Sequence, residues 1–257
     1  MPNFSSPLLR GAGSLLERLG RHLDRAYESP ESKLGNQEDP LDETIYIILS
    51  FQTDLRRLTT VWARLRSECP TWADVDQAPV SRVAAALREG GLHQQKARTI
   101  KRLLSQVRRM TGQLSLDWLR DMSDQDAERV LTRLPGLSWK GARCVLLYSL
   151  RRDVLPIDSN TFRILKRVGV LKPRAVYRRR ATHDAIQEAV PAPRRRRLHV
   201  NLVLHGQRIC LPDKPRCPEC PVQALCSMTG VRASSRRSAP GAVLSGLRRA
   251  LPNAVAK

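Results

Sequence analysis

Four cysteines near the carboxyl end constrain this chain more than any other feature. Cys210, Cys217, Cys220 and Cys226 are spaced C-x6-C-x2-C-x5-C. Four thiolates so close in sequence can bind one inorganic centre without help from distant parts of the fold, and their uneven spacing differs from paired zinc knuckles, which repeat C-x2-C twice. The spacing therefore favours a [4Fe-4S] cluster, with a zinc ion on the same cysteines as the alternative.

The two remaining cysteines, Cys69 and Cys144, each stand alone within a helical pattern. The six cysteines therefore do not indicate three disulfides, and we expect a reducing, cytoplasmic compartment. The longest apolar runs, such as residues 45–49, are much shorter than the roughly 18 residues of a membrane span, so we expect no membrane partner. Residues 1–25 contain leucine and arginine, and we expect an amphipathic helix there rather than a targeting segment.

The charge of the chain is strongly positive. It has 45 Lys and Arg against 24 Asp and Glu, a formal net charge of +21. Such a balance favours a polyanionic partner, and nucleic acid is the partner we predict. The alternative is a general arginine bias of the source organism, which would also explain the arginine runs at 178–180 and 194–197.

The periodicity of the apolar residues predicts an all-α protein, because no segment alternates long enough to indicate a strand. Asp39-Pro40 is typical of a helix start, Ser123 to Asp126 resembles a capping box, and Gly169 is typical of a helix end. Pro135-Gly136 divides two helical patterns and predicts a tight turn between them. After Cys226 the chain is basic, and we expect residues 229–257 to be a disordered tail.

Two further motifs accompany the cysteines. Residues 134–142 read LPGLSWKGA, and residues 157–163 read IDSNTFR. Together with the cysteine spacing, they make the chain similar to the endonuclease III family of DNA glycosylases, which belong to the helix-hairpin-helix superfamily. In this resemblance, Lys140 matches the catalytic lysine of the hairpin and Asp158 the catalytic aspartate, at the expected separation of eighteen residues.

The resemblance implies a two-domain architecture. A six-helix barrel domain would span residues 40–152, with the helix-hairpin-helix at about 124–150. Residues 1–39 and 153–228 would form the iron-sulfur cluster domain, and DNA would bind in the cleft between the two domains. The cluster would then have a structural role.

Lys140 and Asp158 would carry the chemistry. Lys140 falls at the start of a helix, whose positive end disfavours an ammonium ion, so we predict a depressed pKa and a nucleophilic amine. The alternative is a lysine that only binds phosphate. Asp158 would stabilise positive charge on the sugar, although an aspartate before a helix is also an ordinary N-cap.

The remaining DNA-binding residues also come from the resemblance. Gln52 would fill the space of an extruded base and Leu92 would act as the wedge toward the opposite strand. Without the resemblance, Gln52 would be interpreted as a surface residue and Leu92 as a core residue. Leu55 stands where the family commonly has an acid, and Asn160 where it commonly has a histidine, so the pocket for the base can differ.

The hairpin would contact phosphate through its backbone, and Gly136 permits that approach. Ser138 stands where the family usually has a second glycine, and the bulky Trp139 follows it. In the cysteine loop, Lys214 and Arg216 are predicted to contact the DNA backbone.

These features predict a bifunctional DNA glycosylase and abasic-site lyase that removes damaged, oxidised pyrimidines from double-stranded DNA in base excision repair. We expect a monomer in the bacterial cytoplasm, associated with the nucleoid through DNA. One alternative is an adenine mismatch glycosylase, which usually lacks the hairpin lysine. The other is a catalytically silent protein that only binds damaged DNA.

Overall fold

The computed structural model describes residues 6–27 and 35–232, which form eleven α-helices. The helices are α1 (Ala12–Ala26), α2 (Pro40–Ser50), α3 (Leu55–Glu68), α4 (Trp72–Gln77), α5 (Val80–Ala86), α6 (His93–Thr111), α7 (Asp124–Arg133), α8 (Trp139–Tyr148), α9 (Ser159–Val168), α10 (Arg180–Glu188) and α11 (Arg195–Arg208). Within these ranges the only extended pairing is an isolated bridge between Leu8 and Leu171. The predicted all-α class is confirmed.

Short 3-10 turns connect several helices, at Arg88–Gly90, Asp117–Asp121, Ala192–Arg194, Cys217–Glu219 and Gln223–Leu225. The described part of the chain contains no helix long and apolar enough to cross a membrane. The basic tail predicted at 229–257 lies outside the described residues from position 233 onward.

The helix ends follow the local signals in the sequence. The Asp39 side chain accepts hydrogen bonds from the backbone N–H groups of Leu41 and Asp42 at the start of α2. Gly169, with φ 93°, ends α9 in the left-handed region that favours glycine. At α7, Ser123 caps the Asp126 N–H, but Asp126 accepts from the Ser123 hydroxyl rather than from its backbone, so the predicted capping box is incomplete.

The amino-terminal segment packs against the carboxyl-terminal helices. Helix α1 contacts α11, and the Leu9 N–H donates to the Val170 carbonyl at 2.9 Å while the Lys172 N–H donates to the Pro7 carbonyl at 2.8 Å. Helices α2 to α8 lie within residues 40–152. The junction where α2 and α8 approach α9 and α11 carries the residues of the candidate site.

Candidate active site

A tight hairpin between α7 and α8 presents Lys140. Gly136 has φ 86°, and a Cβ at this position would lie 2.5 Å from the Thr99 Cγ2 atom on α6. Only glycine therefore fits the turn against α6. The Ser138 side chain accepts the Gly141 N–H at 3.5 Å and caps α8. The serine that departs from the family pattern thus has a local role, and Lys140 lies in the first turn of α8.

Asp158 caps the next helix, α9, and its carboxylate accepts the Thr161 N–H at 2.7 Å. The Asn160 side chain donates to the second oxygen of Asp158 at 3.1 Å. Gly206 of α11 packs closely against Asn160. A Cβ at position 206 would lie only 2.5 Å from the Asn160 Cβ. The asparagine that replaces the common histidine therefore orients the carboxylate.

The amine of Lys140 interacts with several groups of the same site. Burial by itself lowers the pKa of Lys140, but the nearby Cys144, Asp158 and Tyr177 side chains together raise it above its usual value. The predicted depressed pKa is therefore wrong, because these neighbours outweigh both burial and the helix end. In the free protein the amine is protonated.

The opposing charge is the Asp158 carboxylate. Burial acts to raise the pKa of Asp158, but His199, the Thr161 N–H and Lys140 bring it below its usual value, so this group is ionised. Burial of His199 lowers the pKa of that imidazole to about 4, and His199 is therefore neutral at physiological pH. The site holds an ammonium and a carboxylate, with a neutral imidazole beside them.

The sequence reasoning missed several groups of this site. Glu43 in the first turn of α2 is fully buried, and the charge of Lys140 acts on it. Burial raises the pKa of Glu43 to about 8, although the Gln37 N–H and the Asn36 amide donate to its oxygens. Cys144 stands four residues after Lys140, a spacing that could have identified it as a neighbour. Tyr177 and His199 carry no local signal.

Gln52 and Leu92 lie on two exposed loops. Gln52 follows the end of α2 with φ 53°, and Leu92 precedes α6 with φ 49°. Both side chains are exposed, and Leu92 retains 44% of its accessible surface. Leu55 is also exposed, at 40%, in the first turn of α3.

The hairpin helix α8 is joined to α10 by charged and aromatic contacts. The Arg180 guanidinium lies 4.6 Å from the centre of the Trp139 ring, so the bulky residue after Ser138 contacts α10. Arg143 is 2% exposed and forms ion pairs with Glu128 of α7, at 3.0 Å, and with Asp184 of α10. Arg180 also approaches both carboxylates.

The four cysteines border one cavity, which α9, α11 and the following loop enclose. The described residues contain no group of three or more His, Cys, Asp or Glu that could hold a single metal ion. The sulfurs thus surround a space rather than converge on a point. Burial and the other three cysteines raise the pKa of the Cys220 thiol to about 12.

The cavity also supplies donors to sulfur. The buried Arg167 guanidinium donates to the Cys210 Sγ at 3.4 Å, and the Met228 N–H donates to the Cys226 Sγ at 3.3 Å. Arg167 forms its other side-chain bonds with the carbonyls of Leu211 and Pro212, both at 2.6 Å. This donor set fits an anionic thiolate-bound group.

Lys214 and Arg216 are both exposed, and Arg216 is engaged in an ion pair. Both are exposed on the loop between the first two cysteines. Arg216 forms a double ion pair with Glu219, with distances of 2.9 and 2.6 Å, so much of its charge is neutralised locally.

Comparison with known proteins identifies the class. The family described as HhH-GPD superfamily base excision DNA repair protein matches residues 45–191, more than half of the chain. The chain therefore belongs to this superfamily, and its relatives include an endonuclease III homolog, which confirms the predicted resemblance.

Individual relatives agree with this assignment. A protein of Arabidopsis thaliana named as a candidate DNA glycosylase is 30% identical over 68% of this chain and 58% of its own length. An endonuclease III homolog of Encephalitozoon cuniculi is 26% identical over 71% of this chain and 76% of its own. The chain thus spans less than two thirds of the first relative, and only 10% of the ROS1A protein of rice.

Solved structures share the fold. A trapped covalent intermediate of endonuclease III with DNA superposes with a TM-score of 0.72 at 21% identity, over 83% of this chain and 95% of that one. A thermostable thymine-DNA glycosylase gives 0.72 at 20% identity, over 85% and 98%. At these identities the likeness shows the fold alone.

Proposed function

We propose that this protein is a bifunctional DNA glycosylase and abasic-site lyase, which excises damaged, oxidised pyrimidines from double-stranded DNA in the bacterial cytoplasm and acts as a monomer. The observation that carries the proposal is that the Lys140 amine, in the first turn of α8 directly after the hairpin, interacts electrostatically with the ionised Asp158 carboxylate. A relative named DNA glycosylase/AP lyase ROS1, 27% identical over 66% of this chain, supports the lyase step.

The reaction begins with a protonated lysine. The raised pKa of Lys140 means that the amine must lose a proton when substrate binds, and the resulting lone pair attacks C1′ of the deoxyribose. The glycosidic bond breaks, and the departing base takes the bonding electrons and a proton. Asp158 stabilises the positive charge that develops on the sugar. The attached amine then gives up a second proton, and the C1′–O4′ bond breaks as O4′ takes up a proton, which gives a protonated Schiff base. Loss of a C2′ proton from this Schiff base expels the 3′ phosphate by β-elimination.

We also propose that the cysteine cavity binds a [4Fe-4S] cluster through Cys210, Cys217, Cys220 and Cys226. The common cavity and the Arg167 donor support this proposal. The bound cluster would supply structural cross-linking of the loop that presents Lys214. Purified protein should be brown and contain iron and acid-labile sulfide in equal amounts, whereas colourless protein with one zinc ion would contradict the proposal.

The departures from the family pattern do not favour a silent DNA-binding protein. Ser138 caps α8 and Asn160 orients Asp158, so both substitutions keep the catalytic groups in position. The hairpin lysine likewise gives no support to an adenine mismatch glycosylase.

Borohydride trapping tests the proposed function. The protein would be incubated with one duplex that contains thymine glycol and one that contains an abasic site, and reduced with borohydride. We expect a covalent complex on both duplexes, which Lys140→Ala abolishes while DNA binding persists. Lys166→Ala, which removes a lysine of α9, is the matched control and should trap normally.

Different trapping results distinguish the lyase activity, the substrate and the nucleophile. Trapping at the abasic site alone would retain the lyase but exclude thymine glycol as a substrate. No trapping on either duplex, or trapping that persists in Lys140→Ala, would overturn the proposed mechanism.

A further inference from the structure

Lys96 joins the two loops that carry Gln52 and Leu92. It lies in the first turn of α6 and is only 4% exposed. We propose that Lys96 is a positioning residue that holds both loops in the shape needed to fill the gap left by an extruded base. The inference rests on the DNA-inserting roles proposed for Gln52 and Leu92.

The geometry of the Lys96 ammonium uses all of its donors. The Nζ atom donates to the Leu49 carbonyl at 2.9 Å, to the Thr53 Oγ1 at 2.6 Å and to the Gly90 carbonyl at 2.8 Å. An ammonium has three N–H groups, so each one has an acceptor. Leu49 and Thr53 flank the Gln52 loop, whereas Gly90 belongs to the Leu92 loop.

A second hydrogen bond also connects the Gln52 loop to the Leu92 loop. The Thr53 hydroxyl lies 2.6 Å from the Gly90 carbonyl, to which it donates. The ideal Cβ position of Gly91 lies 3.9 Å from the Gln52 carbonyl oxygen, so the two loops approach each other closely. The loops therefore form one unit around Lys96.

Both loops are held in unfavourable backbone conformations. Gln52 and Leu92 have φ values of 53° and 49°, in the left-handed region that non-glycine residues avoid. Such conformations persist only where the surrounding structure enforces them, and they cluster at functional sites. The three bonds of Lys96 connect directly to the segments that contain both residues.

A buried ammonium is energetically unfavourable as a purely structural link between two loops. Its hydrogen-bond partners are two backbone carbonyls and one hydroxyl rather than a carboxylate, and burial lowers the pKa of Lys96 to about 8. A buried charge without an ion partner reduces stability, and an apolar residue of similar shape is often tolerated in its place. A lysine at this position is expected if the shape of the two loops matters more than the stability of the fold.

Lys101 provides a matched control on the same helix. Its Nζ donates to the backbone carbonyls of Asp76 and Ala78. It therefore makes the same kind of link, but it secures the connection between α4 and α5, which contains no residue proposed to enter DNA.

The test compares Lys96→Met, Thr53→Val and Lys101→Met with the wild type. Each protein would be titrated with an undamaged duplex and with a duplex that carries a stable tetrahydrofuran abasic analogue next to 2-aminopurine. Fluorescence of 2-aminopurine reports the unstacking that accompanies insertion. We expect Lys96→Met to lose about tenfold or more of the preference for the analogue, along with the fluorescence change, while binding to undamaged duplex is unchanged.

Thr53→Val should show the same loss to a smaller degree, and it provides the test if Lys96→Met does not fold. Lys101→Met should behave like the wild type. A purely structural role would instead lower the melting temperature and weaken binding to both duplexes equally. Preserved preference and fluorescence in both Lys96→Met and Thr53→Val would overturn the inference.

The control with wild-type protein separates this inference from the proposed function. If the wild type is trapped by borohydride but the Lys96 variant matches Lys101→Met, only the positioning role fails. If the wild type neither is trapped nor prefers the analogue, the proposed function fails, and the positioning role fails with it.

Discussion

At the scale of single residues, the central finding is that the Lys140 ammonium and the Asp158 carboxylate, from α8 and the start of α9, act electrostatically on each other. The local position of Lys140, at a helix start, would lower its pKa. The neighbours that face it from α8, α9 and the loop before α10 raise it instead. In the proposed mechanism, substrate binding therefore shifts this balance before the amine reacts.

The pH dependence of trapping follows from this balance. Because the reactive form is the neutral amine and the pKa of Lys140 is raised in the free protein, the trapping rate constant measured below saturation should still be rising with pH at 10.5, the usual lysine value. Asp158→Asn removes the charge that favours the ammonium, so its profile should move to lower pH while its maximal rate falls. Asparagine still caps α9, which preserves the helix. A wild-type plateau near neutral pH would contradict the raised pKa.

Glu43 predicts a pH dependence of stability. Its pKa is raised from 4.5 to about 8 in the folded protein. The native state therefore binds more protons than the unfolded state between these values, and the free energy of unfolding should fall as pH rises through this window. In Glu43→Gln, thermal unfolding measured from pH 5 to 8 should vary less with pH than in the wild type. Equal slopes in the two proteins would show that Glu43 does not titrate there.

At the scale of elements, the hairpin between α7 and α8 depends on close packing against neighbouring helices. Gly136 approaches Thr99 of α6 and Ile48 of α2, and a Cβ would lie 2.5 and 3.3 Å from their side chains. The turn that presents Lys140 is thus fixed both by its own backbone conformation and by two other helices.

Gly136→Ala should destabilise the protein by about 1–3 kcal/mol, because it adds a steric overlap to an unfavourable φ. It should also weaken binding to any duplex, as the hairpin shifts. Gly112→Ala is the control, since Gly112 has φ 75° but no atom within 4 Å of the added Cβ. Denaturant unfolding should show a larger loss for Gly136→Ala, and Thr99→Ser should restore part of it. Equal losses for the two glycine variants would mean that packing at Gly136 is unimportant.

At the scale of the whole molecule, charged side chains join the hairpin region to the carboxyl-terminal helices. Arg143 of α8 is paired with Glu128 of α7 and Asp184 of α10, and Arg180 adds a second cation. These pairs fix α10 against the helices on either side of the hairpin.

Glu128→Gln should destabilise the protein by about 1–3 kcal/mol, because it removes one of the two carboxylates that compensate the buried Arg143 and leaves only Asp184. Asp126→Asn, which breaks an exposed pair with Arg129 on the same helix, should have little effect. Denaturant midpoints of the two variants provide the comparison. Similar midpoints would show that the buried pair does not stabilise the junction.

The sequence by itself was sufficient for the fold class, the family and the local geometry of the segments that carry Lys140 and Asp158. Helix caps such as Asp39 and Asp158, and the turn at Gly136, depend on a few consecutive residues and were therefore predictable. The cysteine spacing was equally local, although its cluster remains a proposal.

The tertiary structure alone decided the charge state of the site and its supporting contacts. The pKa of Lys140 depends on burial and on the charges of groups brought from other elements, and its sign could not be read from the helix position. Glu43 and His199 reach the site from α2 and α11, and Lys96 joins the loops of Gln52 and Leu92, which are forty residues apart in sequence. Desolvation and Coulomb coupling act through space, so a sequence pattern contains no direct record of them.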